Sequence, residues 1–410
     1  MRILILSFYH PPDLSAGSFR VDALVKALSA AIPTMSDIHI LTTQPNRYES
    51  YRRTAPERER TGKVLLERID VGSHRSGMVD QSLAFQRYAA GVLKRCGNAK
   101  ASPDIVVATS SRLATAALGA LVAARHRARL YLDIRDLFRD TIGDTLRGPA
   151  RILLPMISVL ERWTLARADH VNVVSEGFLP YVMARRAGRP VSVQTNGIDP
   201  EFTTANFDGG AASGRRVILY AGNIGDGQGL HRILPAAAAL SGDAFVFRVI
   251  GDGGARRRLE EAIAALSHDH GHPLPIELAP PVSRKALIAE YAAADAVFLH
   301  LNHYDAFERV LPSKLFEYGA TGKPILAGVR GVARDFIARH LPDAAIFDPC
   351  DVGGLVEALA KLNFGLRDRT EFIKTFDRRK IAARMAEDIV RIGIASRPNE
   401  EENPVQEQQT

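Results

Sequence analysis

The chain has 410 residues, 46% hydrophobic and 24% charged, which excludes extensive disorder and divides naturally into two domains of roughly 200 residues each. A formal charge of +7 favours anionic partners, either phosphorylated ligands or an anionic membrane surface; with no basic recognition helix, zinc-finger spacing or aromatic RNA-binding signature, it does not point to nucleic acid. The only cysteines, Cys96 and Cys350, fall in different predicted domains, which supports neither a disulfide framework nor a zinc site and suits a reducing cytosol.

Residues 1–7 are too short for a signal-peptide core and run at once into Pro11-Pro12, so they read as a first strand. Beyond them, short β-branched or leucine-rich runs alternate with stretches of helical period, the pattern of parallel sheets covered by helices. Strands are predicted at 2–7, 38–43, 64–69, 105–108, 130–134 and 171–174, with helices at 18–31, 81–96, 112–125, 150–166 and 177–186. The arginine-rich stretch 47–60 reads as a solvated loop, or else as a contact for an acceptor's phosphates. The longest apolar stretch, 114–124, is far short of the ~20 residues that span a bilayer. In the fourth helix Ile152, Leu153, Met156, Ile157, Leu160 and Trp163 share a face fringed by Arg147, Arg151, Arg162 and Arg167. Such a face either packs in a core or lies on anionic lipid with the lone tryptophan as anchor.

After Asn196-Gly197 a polar, glycine-rich run reads as a linker, and the alternation then restarts with strands at 217–221, 245–250, 276–278, 296–301, 324–327 and 345–347. The predicted organisation is a first Rossmann-like domain over 1–198, a linker at 199–215, a second domain over 216–371, a helix over 372–396 and a disordered tail at 397–410. Two doubly wound sheets in tandem place a cleft between the carboxyl ends of their strands, where such sheets bind ligands.

The most informative segment is 304–326. Pro312 suits the first turn of a helix, Gly319 to Gly322 end it, and Pro324-Ile325-Leu326 opens a buried strand. Ser313 and Lys314 then lie at a helix N-terminus, where unpaired N–H groups and the dipole favour an anion. Glu317, one turn further in, is placed to accept hydrogen bonds from ribose hydroxyls, so the segment suits a nucleoside diphosphate. A capped surface helix with a salt-bridging glutamate is the plainer reading. Gly222-Asn-Ile-Gly-Asp-Gly-Gln-Gly229 leaves a strand and enters a helix, the context of a phosphate-binding turn, and Gly251 begins a second glycine-rich strand end. Gly17, in the loop after the first strand, either admits a diphosphate or acceptor to the backbone or is only a turn residue. Asp133, Arg135 and Asp136 end a strand on the cleft side; they either orient an acceptor hydroxyl and a leaving group or form structural ion pairs. No metal cluster, nucleophilic triad or Schiff-base lysine is legible, and His10, His300 and His303 read as structural.

Four stretches in order, Phe8-Tyr-His-Pro-Pro-Asp13 with Gly17, Thr195-Asn-Gly-Ile-Asp199, Tyr220 to Gly229, and Pro312-Ser-Lys-Leu-Phe-Glu-Tyr318, resemble the motifs of retaining glycosyltransferases of family 4. With Phe298-Leu-His-Leu-Asn302, the likeness extends to the subgroup of fucosamine (N-acetyl-L-fucosamine) transferases of O-antigen and capsule assembly. The resemblance implies an α/β GT-B fold, with the helix over 372–396 crossing back to the first domain. It also implies a UDP-sugar donor, a polyprenyl-diphosphate-linked saccharide as acceptor, no metal or other cofactor, and a cytoplasmic enzyme peripheral to the inner face of the membrane. On this basis Gly17, Gly222, Asn223, Gln228, Gly251, Arg309, Ser313, Lys314 and Glu317 are expected to hold the donor, and Asp133, Arg135, Asp136 and Glu308 to serve catalysis.

The chain departs from the family pattern at three places. Asn223 and Gln228 stand where many members have Arg and Lys, leaving Lys314, backbone amides, Arg309 or a metal to meet the diphosphate charge. The family often has two glutamates with seven residues between them, and Glu317 matches the second; where the first would stand, eight positions earlier, the chain has Arg309, with Glu308 displaced by one. Two rivals follow, a GT-B nucleotide-sugar epimerase and a non-catalytic binding subunit; Asn196-Gly-Ile-Asp199 and Pro312-Ser-Lys314 speak against the epimerase.

Overall fold

The computed structural model describes residues 1–46, 54–72, 78–99, 101–110, 112–137, 154–186, 188–210 and 214–395. Its first sheet contains β1 (Arg2–Ser7), β2 (Asp37–Thr43), β3 (Arg58–Thr61), β4 (Val64–Ile69), β5 (Ile105–Ser110), β6 (Arg129–Ile134), β7 (His170–Val173) and β8 (Val191–Val193), in the order β3-β4-β2-β1-β5-β6-β7-β8. The helices packed with it are α1 (Ala16–Ala31), α2 (Met78–Gly97), α3 (Leu113–Arg125), α4 (Leu154–Arg167) and α5 (Leu179–Met183). β1 and β5 are buried along almost their whole length, as continuous apolar strands between two helical layers must be. β3 differs from expectation: residues 58–61 form an antiparallel edge strand on β4 rather than a loop, and 47–53 lie outside the described residues. All four of its residues are exposed, so the charges that read as a loop are those that keep a sheet edge solvated.

After α6 (Pro200–Thr204), the second sheet holds β9 (Arg216–Ala221), β10 (Phe245–Ile250), β11 (Ile276–Ala279), β12 (Ala296–His300), β13 (Ile325–Gly328) and β14 (Ala345–Phe347), all parallel, in the order β11-β10-β9-β12-β13-β14. Its helices are α7 (Leu230–Ser241), α8 (Arg256–His270), α9 (Arg284–Ala293), α10 (Lys314–Thr321), α11 (Gly331–His340), α12 (Val352–Ala360) and α13 (Thr370–Thr375). Strand order reverses between β1 and β5 in one sheet and between β9 and β12 in the other, and ligands of open α/β sheets bind at such points. The segment predicted as a linker is not a passive connection at its start, because Phe202 of α6 and Phe207 are buried in the second domain's core.

The predicted single helix over 372–396 is two helices. Phe372 of α13 packs in the second core; then Asp377 caps α14 (Arg378–Ile394) by accepting from the Arg379 N–H. Ile381, Met385, Ala386 and Ile389 of α14 enter the first domain's core beside Val21, Leu24 and Leu28 of α1. Where the chain crosses back it pairs with the outgoing crossing: Ile198 N donates to Phe376 O at 2.8 Å and Arg378 N to Ile198 O at 3.0 Å. A Cβ on Gly197 would lie 2.6 Å from the Arg378 Cα, so this close crossing requires glycine. The tail predicted to be disordered lies outside the described residues.

Candidate functional site

Between the two sheets lies a cavity of about 620 Å³. Its second-domain wall begins where β9 and β10 end. Gly222 and Gly251 have φ values of 144° and 153°, open to glycine alone among common residues. A Cβ on Gly251 would stand 1.8 Å from Gly222 O, and one on Gly222 would stand 2.1 Å from Lys314 Nζ. The two glycines therefore let adjacent strand ends touch and let the Lys314 amine lie over them, 5.1 Å from the Tyr220 ring centroid. Lys314 opens α10; Ser313 is its N-cap with an αR backbone, and the serine side chain makes no capping bond to the helix. The Asn223 Nδ2 donates to Gln228 Oε1 at 2.9 Å, and Gly225 N donates to the same oxygen at 3.2 Å. These two amides thus stiffen the turn where charged side chains were absent.

Behind the turn, His300 Nδ1 lies 2.6 Å from Gln228 O while Nε2 accepts from Cys350 N at 2.8 Å, which fixes a neutral Nδ1–H tautomer. Burial pushes its pKa down to about 4, against the raising effect of the Gln228 bond. The expected structural role of this histidine is thus a specific one: it anchors the phosphate-type turn to the loop after β14.

Glu317, one turn into α10, lines the cavity with both oxygens engaged. Arg284 Nη1 donates to Oε1 at 2.7 Å and the Tyr291 hydroxyl donates to Oε2 at 3.2 Å. Burial acts to raise the carboxyl pKa, but the charge and hydrogen bond of Arg284, with Lys314 and Arg378, outweigh it and hold Glu317 below the usual range. Arg284 also pairs with Asp199, which pairs in turn with Arg378 Nε at 2.6 Å. The Arg284 guanidinium lies 4.7 Å from the Phe19 ring and 4.5 Å from that of Phe202. It therefore joins α10, the outgoing crossing and α1 of the first domain. A carboxylate has about four acceptor positions, so Glu317 retains capacity for further donors.

The first-domain wall includes Tyr9, Ser15, Arg112, Arg135 and Asp136. Arg135 and Asp136 stand where the sequence placed them, at the end of β6. Gly17 differs from expectation: it lies in the first turn of α1, capped by Ser15, and outside the lining of the cavity. A Cβ there would lie 2.0 Å from Arg135 Nη1, so its missing side chain accommodates a guanidinium rather than a phosphate.

Three further expectations are corrected. Asp133 is fully buried and off the cavity; it accepts from Arg20 Nε at 2.8 Å, Arg20 Nη2 at 2.9 Å, Thr109 Oγ1 at 2.9 Å and Asn172 Nδ2 at 2.7 Å. With four donors around it, Asp133 is a structural anion that ties α1 to the sheet. Glu308 lies in a 3₁₀ turn, Asp305–Arg309, and faces a separate small hollow with Asn302, Tyr304 and Arg330. Arg309, in the same turn, is exposed and outside the cavity lining; its carbonyl accepts the Ser175 hydroxyl at 2.6 Å, a contact between the domains. The residue that sequence reasoning missed is Arg284: a lone arginine after the Ser283 N-cap of α9 carries no motif, and only the fold brings it to Glu317. Among the described residues no group of three or more His, Cys, Asp or Glu could hold a metal ion.

Residues 18–199 match the family described as Glycosyl transferase 4-like domain, and residues 201–376 match Glycosyl transferases group 1. The two matches follow the two sheets and meet at the outgoing crossing; the chain belongs to the GT-B glycosyltransferases of family 4. It is similar to a protein provisionally assigned as colanic acid biosynthesis glycosyl transferase WcaI of Escherichia coli (strain K12), with 26% identity over 237 residues, 54% of this chain and 56% of the relative. The chain thus spans about half the length of this curated relative. The α,α-trehalose-phosphate synthase (UDP-forming) of Burkholderia xenovorans, in complex with glucose-6-phosphate, superposes with a TM-score of 0.68 at 14% identity, covering 96% of this chain and 100% of that one. HepE of Anabaena, in complex with UDP-glucose, gives 0.60 at 13% identity, covering 96% and 97%. At such identities the likeness is one of fold, two Rossmann-like domains facing a cleft.

Proposed function

We propose that the chain is a retaining glycosyltransferase that moves a sugar from a UDP-sugar to a polyprenyl-diphosphate-linked saccharide during assembly of a surface polysaccharide such as O-antigen, capsule or exopolysaccharide. The observation that carries this reading is the Lys314 amine held over Gly222 at the N-terminus of α10, in one cavity with Arg135 and with Glu317 a turn further in. Lys314, the first N–H groups of α10 and Arg135 would bind the diphosphate without a metal, and Glu317 would receive the ribose hydroxyls. The names of WcaI and of the UDP-glucose complex of HepE support a polysaccharide product and a UDP donor. N-acetyl-fucosamine is the donor sugar suggested by the likeness at 298–302 and 312–318.

Retention asks the site to hold the departing diphosphate close to the incoming hydroxyl on one face of the sugar, and to stabilise the charge that develops on the leaving oxygen. Lys314 and Arg135 are the cations placed for that charge, and Asp136 is the carboxylate on the wall from which an acceptor would approach. Calorimetry tests the donor assignment. Lys314→Ala should weaken UDP much more than uridine, and equal losses would place the amine away from the phosphates. Mass spectrometry of products from a panel of UDP-sugars with lipid-linked acceptors tests the reaction, and turnover without acceptor would favour an epimerase.

A further inference from the structure

Helix α4 packs Ile157 and Leu165 against the first core yet leaves much of its apolar surface on the solvent side. Its buried residues include Glu161 and Thr164; Glu161 accepts from the Tyr181 hydroxyl and lies 3.8 Å from Arg185 Nε. Its solvent side carries Met156, Val159, Leu160 and Trp163, which are 64%, 66%, 41% and 40% exposed. Spacings of three, four and seven place these side chains on one face of the helix. Each costs free energy by facing water, and a contiguous apolar patch of this kind marks an interaction surface.

Charge selects the occupant. The exposed charged residues of α4 are Arg162, which helical geometry puts at one edge of the apolar stripe, and Arg167, which continues the stripe at its C-terminal end one turn beyond Trp163, and neither forms an ion pair among the described residues. An apolar stripe bordered by cations, with a tryptophan inside it, matches a bilayer interface of anionic headgroups over acyl chains. The helix is also close to the site: Glu161, Thr164 and Leu165 on its inner side line a small hollow together with Asp136, which also lines the main cavity.

We infer that α4 docks the protein on an anionic membrane surface, with Met156, Val159, Leu160 and Trp163 inserted and Arg162 and Arg167 against lipid phosphates. This deepens the proposed use of a lipid-linked acceptor, because it brings the Asp136 side of the cleft to the surface from which such an acceptor would come.

Trp163 is the only tryptophan, so its fluorescence reports this face alone. Vesicles of phosphatidylglycerol and phosphatidylcholine should shift its emission to the blue, pure phosphatidylcholine much less, and high salt should reverse the shift. The double variant Arg162→Gln/Arg167→Gln should weaken vesicle binding about thirty-fold, the effect of two basic residues at such a surface. Val159→Glu/Leu160→Glu should abolish the shift. UDP affinity, measured on the same variants, should be unchanged, which shows that the fold is intact and separates this inference from the donor assignment. Emission already blue-shifted in buffer and indifferent to vesicles, or vesicle binding unaffected by both double variants, would overturn it. A concentration-dependent blue shift without lipid, with sedimentation at twice the monomer mass, would assign the face to a second copy of the chain instead.

Discussion

Arg284 holds the Glu317 carboxyl below the usual carboxylate range in a place where burial alone would raise it. Because the folded-state pKa of Glu317 is depressed, Glu317 itself should add no pH dependence to UDP affinity in mildly acidic solution, beyond that of the UDP phosphate. In Arg284→Ala, Glu317 faces Asp199 without the intervening cation, burial dominates and its pKa rises. The variant should therefore lose UDP affinity more steeply than the wild type as pH falls; calorimetry at several pH values reads the difference, and parallel curves would remove the coupling. Glu317→Ala itself should weaken UDP by about 1.5–3 kcal/mol, the range for hydrogen bonds to a charged group. At this scale the sequence was legible where a motif combines spacing with a backbone constraint, as at Gly222, Ser313 and Lys314. It was not legible where a charge could equally be a ligand or a structural partner. Asp133 and Asp136 stand three residues apart, yet only the buried donors Arg20, Thr109 and Asn172, drawn from three other elements, decide that the first is structural.

Strands and helices behave differently under substitution. Gly222→Ala combines a φ of 144° with an overlap onto Lys314, so it should reproduce the UDP deficit of Lys314→Ala while leaving that lysine in place. His300, at the end of β12, predicts a pH dependence of stability. Above pH 6.5 both folded and unfolded chains carry it neutral; below that value the unfolded chain takes up a proton that the folded one refuses until about pH 4. Stability should thus decline between those limits by about 3 kcal/mol from this group alone, and the slope in urea unfolding should shrink in His300→Asn. The parallel strands were readable because burial on both faces makes each a short apolar run. β3 was not, since an exposed edge strand four residues long shares the composition of a loop. α4 shows the limit of periodicity: its apolar stripe was plain in the sequence, but which way the stripe faces depends on whether Glu161 or Trp163 finds a partner inside.

At the scale of the molecule, two covalent crossings join the domains, and α14 is the last described helix of the chain although it completes the first domain. Ile381, Met385 and Ile389 fill the face of the first sheet that α1 covers, at about 1.5–3 kcal/mol of burial each. A chain made from its N-terminus onward therefore synthesises the whole second domain before the first can close its core. Domains usually fold in the order they emerge; here the second should reach its native state first, leaving the apolar side of α1 open for the time needed to translate residues 200–394. Truncation after Phe376 should yield a folded second domain beside a first domain that binds hydrophobic dyes and is cut rapidly by protease, and a peptide of residues 377–395 added in trans should reduce both. Equal protease resistance of the truncated and full-length first domains would mean that α14 is dispensable to it, and that order of synthesis places no constraint on this fold.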